Sequence, residues 1–344
     1  MRTCYIRLRL IVLLSLNITI CSAQSINIDS IITPSSLKAV VEALAADSFQ
    51  GRLTGTLQVA KAAELISQQF KDAGALPIAG TEGYLMSFEI SYKVTAFNFP
   101  LPYKSKSLNV VAALPGHSKA KELVIFCAHY DHVGTKTYGT RSSSTLPENG
   151  QPENGDEIYN GANDNASGIS GLIHLARYYA KHPHNERTII FIAFSGEEEG
   201  LLGSRHLAEG FDPKVVTTVI NMDMIGRPVS AKNKHPFITG DGRSDLLSIL
   251  NKRLHEADRQ YGKKYFQGDH YPEESLFTRS DSYPFAQKGM VAHTIMTSAP
   301  KDKYYHSLND ESDKLDYPFM AEVVKAIALA TTGLVDGSDA PGKN

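Results

Sequence analysis

The sequence contains no tryptophan and only three cysteines in 344 residues. Three cysteines cannot build a disulfide framework or a thiolate zinc site, so any metal would need histidine and carboxylate ligands. An excess of charge is missing too. With 35 Lys+Arg against 37 Asp+Glu the formal charge is −2, which gives a nucleic-acid polyanion nothing to bind. What is present, 42% hydrophobic and 21% charged residues, is ordinary for a globular protein and excludes disorder, collagen-like repeats and coiled coils. The length allows one large α/β domain or two small ones.

The first residues read as an address. Arg2, Arg7 and Arg9 precede an apolar run from Leu10 to Ile20, then Cys21-Ser22-Ala23. This is the pattern of a secretory signal peptide, 1–23, cleaved before Gln24. The run is about half of the ~20 residues that a membrane-spanning helix needs, and no transmembrane segment is expected in the mature chain. Cleavage removes three arginines and no acid, taking the formal charge from −2 to −5. It also removes Cys4 and Cys21, leaving Cys127 with no disulfide partner. The expected destination is the periplasm or the exterior. Cys21 leaves open a lipid anchor instead.

Residues 24–344 read as one domain. Thr33-Pro34 opens a helix through Ala46, and a second runs from Leu57 to Ala73, stopping at Gly74. Apolar strands follow at Leu108–Ala113, Leu123–Ala128, Thr188–Phe194, Val216–Ile225 and Val291–Met296. Several are apolar at nearly every position, as strands covered on both faces are. Helical patterns alternate with them at Ala166–Ala180, Leu201–Gly210, Asp245–Tyr261 and Pro318–Leu334. The expected fold is α/β, a three-layer sandwich with a mostly parallel central mixed sheet flanked by helices. A Gly-, Ser-, Pro- and Asn-rich insert at about 135–157 reads as a flexible surface loop.

Polar clusters fall just after apolar segments, where open α/β sheets bind their ligands. In His129-Tyr130-Asp131-His132, extended chain would point His129 and Asp131 the same way, although such a pair is as readily a polar turn. Asp164, in Gly161-Ala162-Asn163-Asp164-Asn165, precedes a helix and could equally cap it. The Asn165-Ala166-Ser167 sequon reads as incidental. Glu197-Glu198-Glu199 repel one another unless solvent or a cation relieves them. Asp223 stands at an otherwise apolar strand end, and His306 in a polar loop.

Separately these decide little. As a set, His129, Asp164, Glu198, Asp223 and His306 provide a bridging carboxylate and a His-plus-carboxylate pair for each of two metals. Such N/O ligands suit Zn²⁺. Two such ions ~3.5–4 Å apart acidify water and polarise a carbonyl. Glu197, beside a ligand but not one, could carry the proton to a leaving amine.

The ordered motifs His-Tyr-Asp-His, Gly-Ala-Asn-Asp-Asn-Ala-Ser-Gly, Glu-Glu-Glu-Gly-Leu-Leu-Gly-Ser and Met-Asp-Met resemble the co-catalytic di-zinc aminopeptidases of metallopeptidase family 28, in their secreted bacterial form. The likeness runs from Gly51-Arg52-Leu53-Thr54-Gly55 to the helix after Tyr304-Tyr305-His306. It implies the phosphorylase/hydrolase-like fold of zinc exopeptidases, with His129 and Asp223 on one zinc, Glu198 and His306 on the other, and Asp164 bridging. It also implies Glu197 as general base and Asp131 as the carboxylate steadying His129. The implied substrates are peptides with a free N-terminus. Arg279-Ser280-Asp281 also resembles a family feature, without an assigned role. The 135–157 insert departs from the compact members and falls between two ligands.

Two alternatives remain open. Glutaminyl-peptide cyclotransferase shares the fold and uses a single zinc, but its pocket characteristically employs tryptophan, absent here. A catalytically inactive binding ectodomain would usually have lost a ligand or the base, and all six positions are intact. No Gly-x-Ser-x-Gly elbow is present, and His255-Glu256 lacks the second histidine of a zincin.

Overall fold

Threonines start the first two helices. Thr33 Oγ1 accepts the Ser36 N–H at 3.0 Å to cap α1 (Pro34–Leu44), and Thr56 caps α2 (Leu57–Ala73), which ends where Gly74 takes φ 85°. A computed structural model describes residues 27–96, 99–136, 155–182, 185–298 and 302–344. The expected leader at 1–23 and most of the 135–157 insert lie outside the described residues; at the insert's described ends, Thr135 pairs with Ile158.

Four strands come next, and strands and helices then mostly alternate. They are β1 (Leu76–Pro77), β2 (Leu85–Ala96), β3 (Phe99–Leu114), β4 (Lys119–His129), α3 (Gly168–Lys181), β5 (Arg187–Phe194), α4 (Leu202–Ala208) and β6 (Val216–Met222). Then come β7 (Phe237–Ile238), α5 (Leu246–Ala257), β8 (Gln267–Gly268), α6 (Ser282–Gln287), β9 (Ala292–Met296), α7 (Tyr317–Ala330) and α8 (Thr332–Val335). Among the described residues nine strands form one sheet in the order β1-β3-β5-β4-β6-β9-β7-β8, with β2 beside β3. The central run β5-β4-β6-β9 is parallel, and β3 and β7 join it antiparallel.

Alternation in the central strands sends side chains to two buried layers. Val124, Phe126 and Ala128 of β4 join the core under α1, α2, α3, α5 and α7. Ile125 and Cys127 face the opposite layer with Leu207 of α4 and Phe285 of α6. Helices therefore cover both faces, as the unbroken apolar strands require. Cys127 is packing. Each fully buried large side chain here contributes about 1.5–3 kcal/mol of apolar burial. Tyr317–Val335 is long and apolar enough to cross a membrane, yet most of it is buried in this core.

Of the differences from the sequence reading, two bear on the site and the sheet. β6 stops at Met222 rather than Ile225, because Met224 turns the chain at φ 53°. The long β2–β3 hairpin was not foreseen. Only Val110–Leu114 of β3 pairs with β5; from Phe99 to Val110 it pairs with β2.

Candidate metal centre

The parallel strands end on one edge of the sheet, and the expected ligands stand there. His129 is the last residue of β4, Glu197 and Glu198 follow β5, and Asp223 follows β6. His306 lies in the loop after β9, and Asp164 in the turn Ala162–Ser167 before α3. The capping alternative for Asp164 does not hold: Ser167 precedes α3, and no side-chain cap bond is made.

Distances divide these residues into two adjoining groups. His129 Nε2 lies 3.3 Å from Asp164 Oδ1 and 3.5 Å from Asp223 Oδ1. His306 Nε2 lies 3.2 Å from Asp164 Oδ2 and 3.0 Å from Glu198 Oε2. The two oxygens of Asp164 thus face different histidines. In tetrahedral zinc sites with bonds of about 2.0–2.1 Å, ligand atoms stand about 3.3 Å apart, so both groups fit the ion. Glu197 lies beside them, within 4.8 Å of ligand atoms of His129 and Glu198. All six expected residues are brought together.

Asp131 works differently from expectation. His129 Nδ1 is 3.2 Å from the Asp131 backbone carbonyl and 3.8 Å from its carboxylate. The carboxylate instead accepts the Glu197 N–H at 3.2 Å, the Glu198 N–H at 3.4 Å and the Thr54 hydroxyl at 2.8 Å. It fixes the backbone that carries Glu197 and Glu198.

The electrostatics are those of a buried acid nest. Burial disfavours charge on His129, but Glu197, Asp164 and Asp223 outweigh it and hold its pKa well above the usual histidine value. Burial likewise opposes charge on His306, yet Glu198 and Asp164 raise it to about 10. Glu198 would rise on burial, but His306 and His132 bring it down to about 2. Glu197 goes the other way. Burial lifts it well above the carboxylate range against the pull of His129, with Glu198 and Asp223 adding to the rise. Converging carboxylates of this kind call for a cation.

Several residues to which the sequence reading assigned no role hold the loops. Buried Arg52 donates to four carbonyls: Leu44 at 2.8 Å, Tyr130 at 2.7 Å, Asn160 at 2.6 Å and Gly161 at 2.9 Å. Burial lowers its pKa to about 10, so it stays charged at neutral pH. Asp310 accepts the N–H groups of Asn163 and Asp164. Asn165 is buried, with Nδ2 donating to Met222 O and Oδ1 accepting from Gly168 and Met224, so its sequon belongs to the scaffold. Ser280 donates to Asp223 Oδ2 at 2.7 Å, which gives the Arg279-Ser280-Asp281 motif a place. His132 joins the Glu198 group, its Nδ1 2.9 Å from Oε1. The cluster floors a cleft of about 590 Å³ whose walls include Met224, Leu276, Met296, Arg279 and Tyr305. Arg279 donates to the Tyr305 hydroxyl at 3.3 Å.

The description "Peptidase family M28" matches residues 109–331, which hold all five candidate ligand positions and Glu197. The chain belongs to this family. Among relatives of this M28 member, "Aminopeptidase YwaD" of Bacillus subtilis is 24% identical over 253 residues, 70% of this chain and 47% of that protein. A "Probable zinc metalloprotease" of Phaeosphaeria nodorum is 31% identical over 148 residues, 41% of this chain and 26% of its own. The M28 chain thus spans a quarter to a half of the length of these two relatives. In fold it is similar to the aminopeptidase of Aneurinibacillus sp. strain AM-1, with TM-score 0.64 and 17% identity over 89% of this chain and 95% of the other. It is also similar to Porphyromonas gingivalis glutaminyl cyclase, with TM-score 0.62 and 17% identity over 89% and 99%. Fold alone does not separate hydrolysis from cyclisation.

Proposed function

We propose that the protein is a metal-dependent exopeptidase that hydrolyses the first residue from peptides with a free N-terminus, using two zinc ions and Glu197 as general base. The observation carrying this reading is the division of Asp164, one oxygen toward His129 and Asp223, the other toward His306 and Glu198. Each side has its own histidine and its own second carboxylate. That favours two ions over the single zinc of a cyclase, as does the absence of tryptophan.

His129 and Asp223 would hold one ion, His306 and Glu198 the other, and Asp164 both. Zinc bound there supplies Lewis acidity, polarising the scissile carbonyl and acidifying water. The chain's own part is proton handling and placement. Glu197, kept basic by burial among other acids, takes the proton of the attacking water on its carboxylate. It then delivers that proton to the amide nitrogen as the C–N bond breaks, releasing a free amino acid and a shortened peptide. Met224, Leu276 and Met296 offer the first side chain an apolar wall. The Arg-rich leader supports export to the periplasm or exterior, with a Cys21 lipid anchor as the alternative.

The test is an assay of the mature protein on amino-acyl chromogenic substrates, on N-acetylated controls and on a peptide with N-terminal glutamine, with and without chelator. Cleavage of free substrates alone, lost on chelation, is expected. Equal cleavage of blocked peptides, or activity that survives chelation, overturns the exopeptidase reading. Pyroglutamate as the main product would favour the cyclase.

A further inference from the structure

His132 touches the candidate centre without belonging to the expected ligand set. It follows the end of β4 and its ring is fully buried. Nδ1 stands 2.9 Å from Glu198 Oε1 and 3.9 Å from Asp164 Oδ2. The ring meets that of His306 edge-on, with 5.5 Å between centroids. The group formed by His129, Asp164 and Asp223 includes no second histidine.

Two observations separate His132 from a packing histidine. The buried His174 and His293 each use both nitrogens, on Ser170 and Ser36 and on Thr239 and Ser244 respectively. Nε2 of His132 has no hydrogen-bond partner among the described residues, so its polar engagement is all on the Glu198 side. Room for the ring is also built in. Gly161 takes φ +57°, and a Cβ there would stand 2.5 Å from His132 Cδ2.

Spacing shows how the ring engages. Ligand atoms around one tetrahedral zinc stand about 3.3 Å apart, and His306 Nε2 keeps close to that spacing from both Asp164 and Glu198. Nδ1 of His132 is too near Glu198 and too far from Asp164 to occupy a corner of the same polyhedron. Its 2.9 Å contact is that of an N–H donor on a carboxylate.

We propose that His132 is a positioning residue of the Glu198–His306 metal subsite: its Nδ1–H holds Glu198 Oε1 and so presents Oε2, on the His306 side, to the ion. Fixing a ligand carboxylate from outside commonly changes metal affinity about 10–100-fold. The effect should fall mainly on one subsite, since the hydrogen bond of His132 is to Glu198, which the reading above gives to the His306 ion alone. The inference rests on the two-metal reading above, and the experiment separates the two.

The test is calorimetric titration of chelator-stripped protein with Zn²⁺, for wild type, His132→Leu, His132→Asn, His132→Gln and His306→Ala, with the melting temperature of each metal-free form. Wild type should take two equivalents. His132→Leu should weaken one binding step about 10–100-fold, the same step that His306→Ala removes, and leave the other unchanged. His132→Asn, whose amide can donate to Glu198, should recover most of the loss at an unchanged melting temperature. Unchanged affinity in His132→Leu, equal weakening of both steps, or no recovery in His132→Asn overturns the proposal. If His132→Leu does not fold, His132→Gln takes its place with the same expectations, because its amide nitrogen falls where Nε2 stands and not where Nδ1 meets Glu198. A wild type that takes up one equivalent overturns the two-metal reading instead. His132 then stands or falls on whether that single affinity drops.

Discussion

Arg227 and Asp310 form a buried ion pair, Nη1 to Oδ1 at 2.8 Å, and the same carboxylate receives the backbone N–H groups of Asn163 and Asp164. One carboxylate thereby joins the loop after β6, the turn that presents Asp164 and the loop that carries His306. Removing one partner of a buried pair strands the other charge, at about 3–5 kcal/mol. Arg227→Met should cost that much in urea unfolding. The double variant Arg227→Met/Asp310→Asn should cost clearly less than the sum of the two single changes. Additive costs would mean that the pair does not act as a unit.

Glu197→Gln keeps the shape of the base and removes its ability to accept a proton. The variant should keep its metal content by elemental analysis and its melting temperature, and lose about 10²–10⁴-fold in kcat. Turnover near wild type would move the base elsewhere.

Thr54 reaches the centre through Asp131, whose carboxylate holds the Glu197 and Glu198 N–H groups. Thr54→Val should lower kcat about 10–100-fold, the scale found when an outer partner is lost, with KM little changed. Thr54→Ser should restore it. Equal loss in both variants would assign the effect to packing of the methyl group.

Burial holds His174 neutral in the folded protein, with its pKa at about 4 against the usual 6.5 and the Arg177 charge acting the same way. Above about pH 6.5 the ring is neutral folded or unfolded and contributes nothing to the pH dependence. Between about 6.5 and 4 the unfolded chain binds a proton that the folded chain does not, so stability falls as pH falls, by at most about 3 kcal/mol. In chelator, where metal release plays no part, His174→Gln should lose less stability than wild type over this window. A constant gap between the two curves from pH 7 to 4 would contradict it.

Legibility in the sequence followed burial. Strands β4 and β5 are apolar on both faces and could be placed within a few residues, and the candidate ligands His129 and Glu198 stood out because they end or follow such strands. The arm of β3 beginning at Phe99 pairs mostly with β2, and its Lys-Ser-Lys-Ser run carries no burial signal. His132 was printed in the motif but could not be oriented, because period-two alternation stops telling faces apart once the strand ends at His129. Arg52 stood in the Gly51-Arg52-Leu53-Thr54-Gly55 stretch with no role legible from it. Its acceptors are backbone carbonyls 8, 78, 108 and 109 residues away, and a carbonyl looks the same whatever residue carries it.

That guanidinium has a practical consequence for anyone trimming the gene. The recognisable family stretch begins at residue 109, and a fragment cut there would keep the five candidate ligand positions and Glu197. It would also leave the Tyr130, Asn160 and Gly161 carbonyls without their shared donor and Asp131 without Thr54. The stretch that bears the chemistry is shorter than the stretch that makes it rigid, so a minimal catalytic fragment has to start upstream of Gly51.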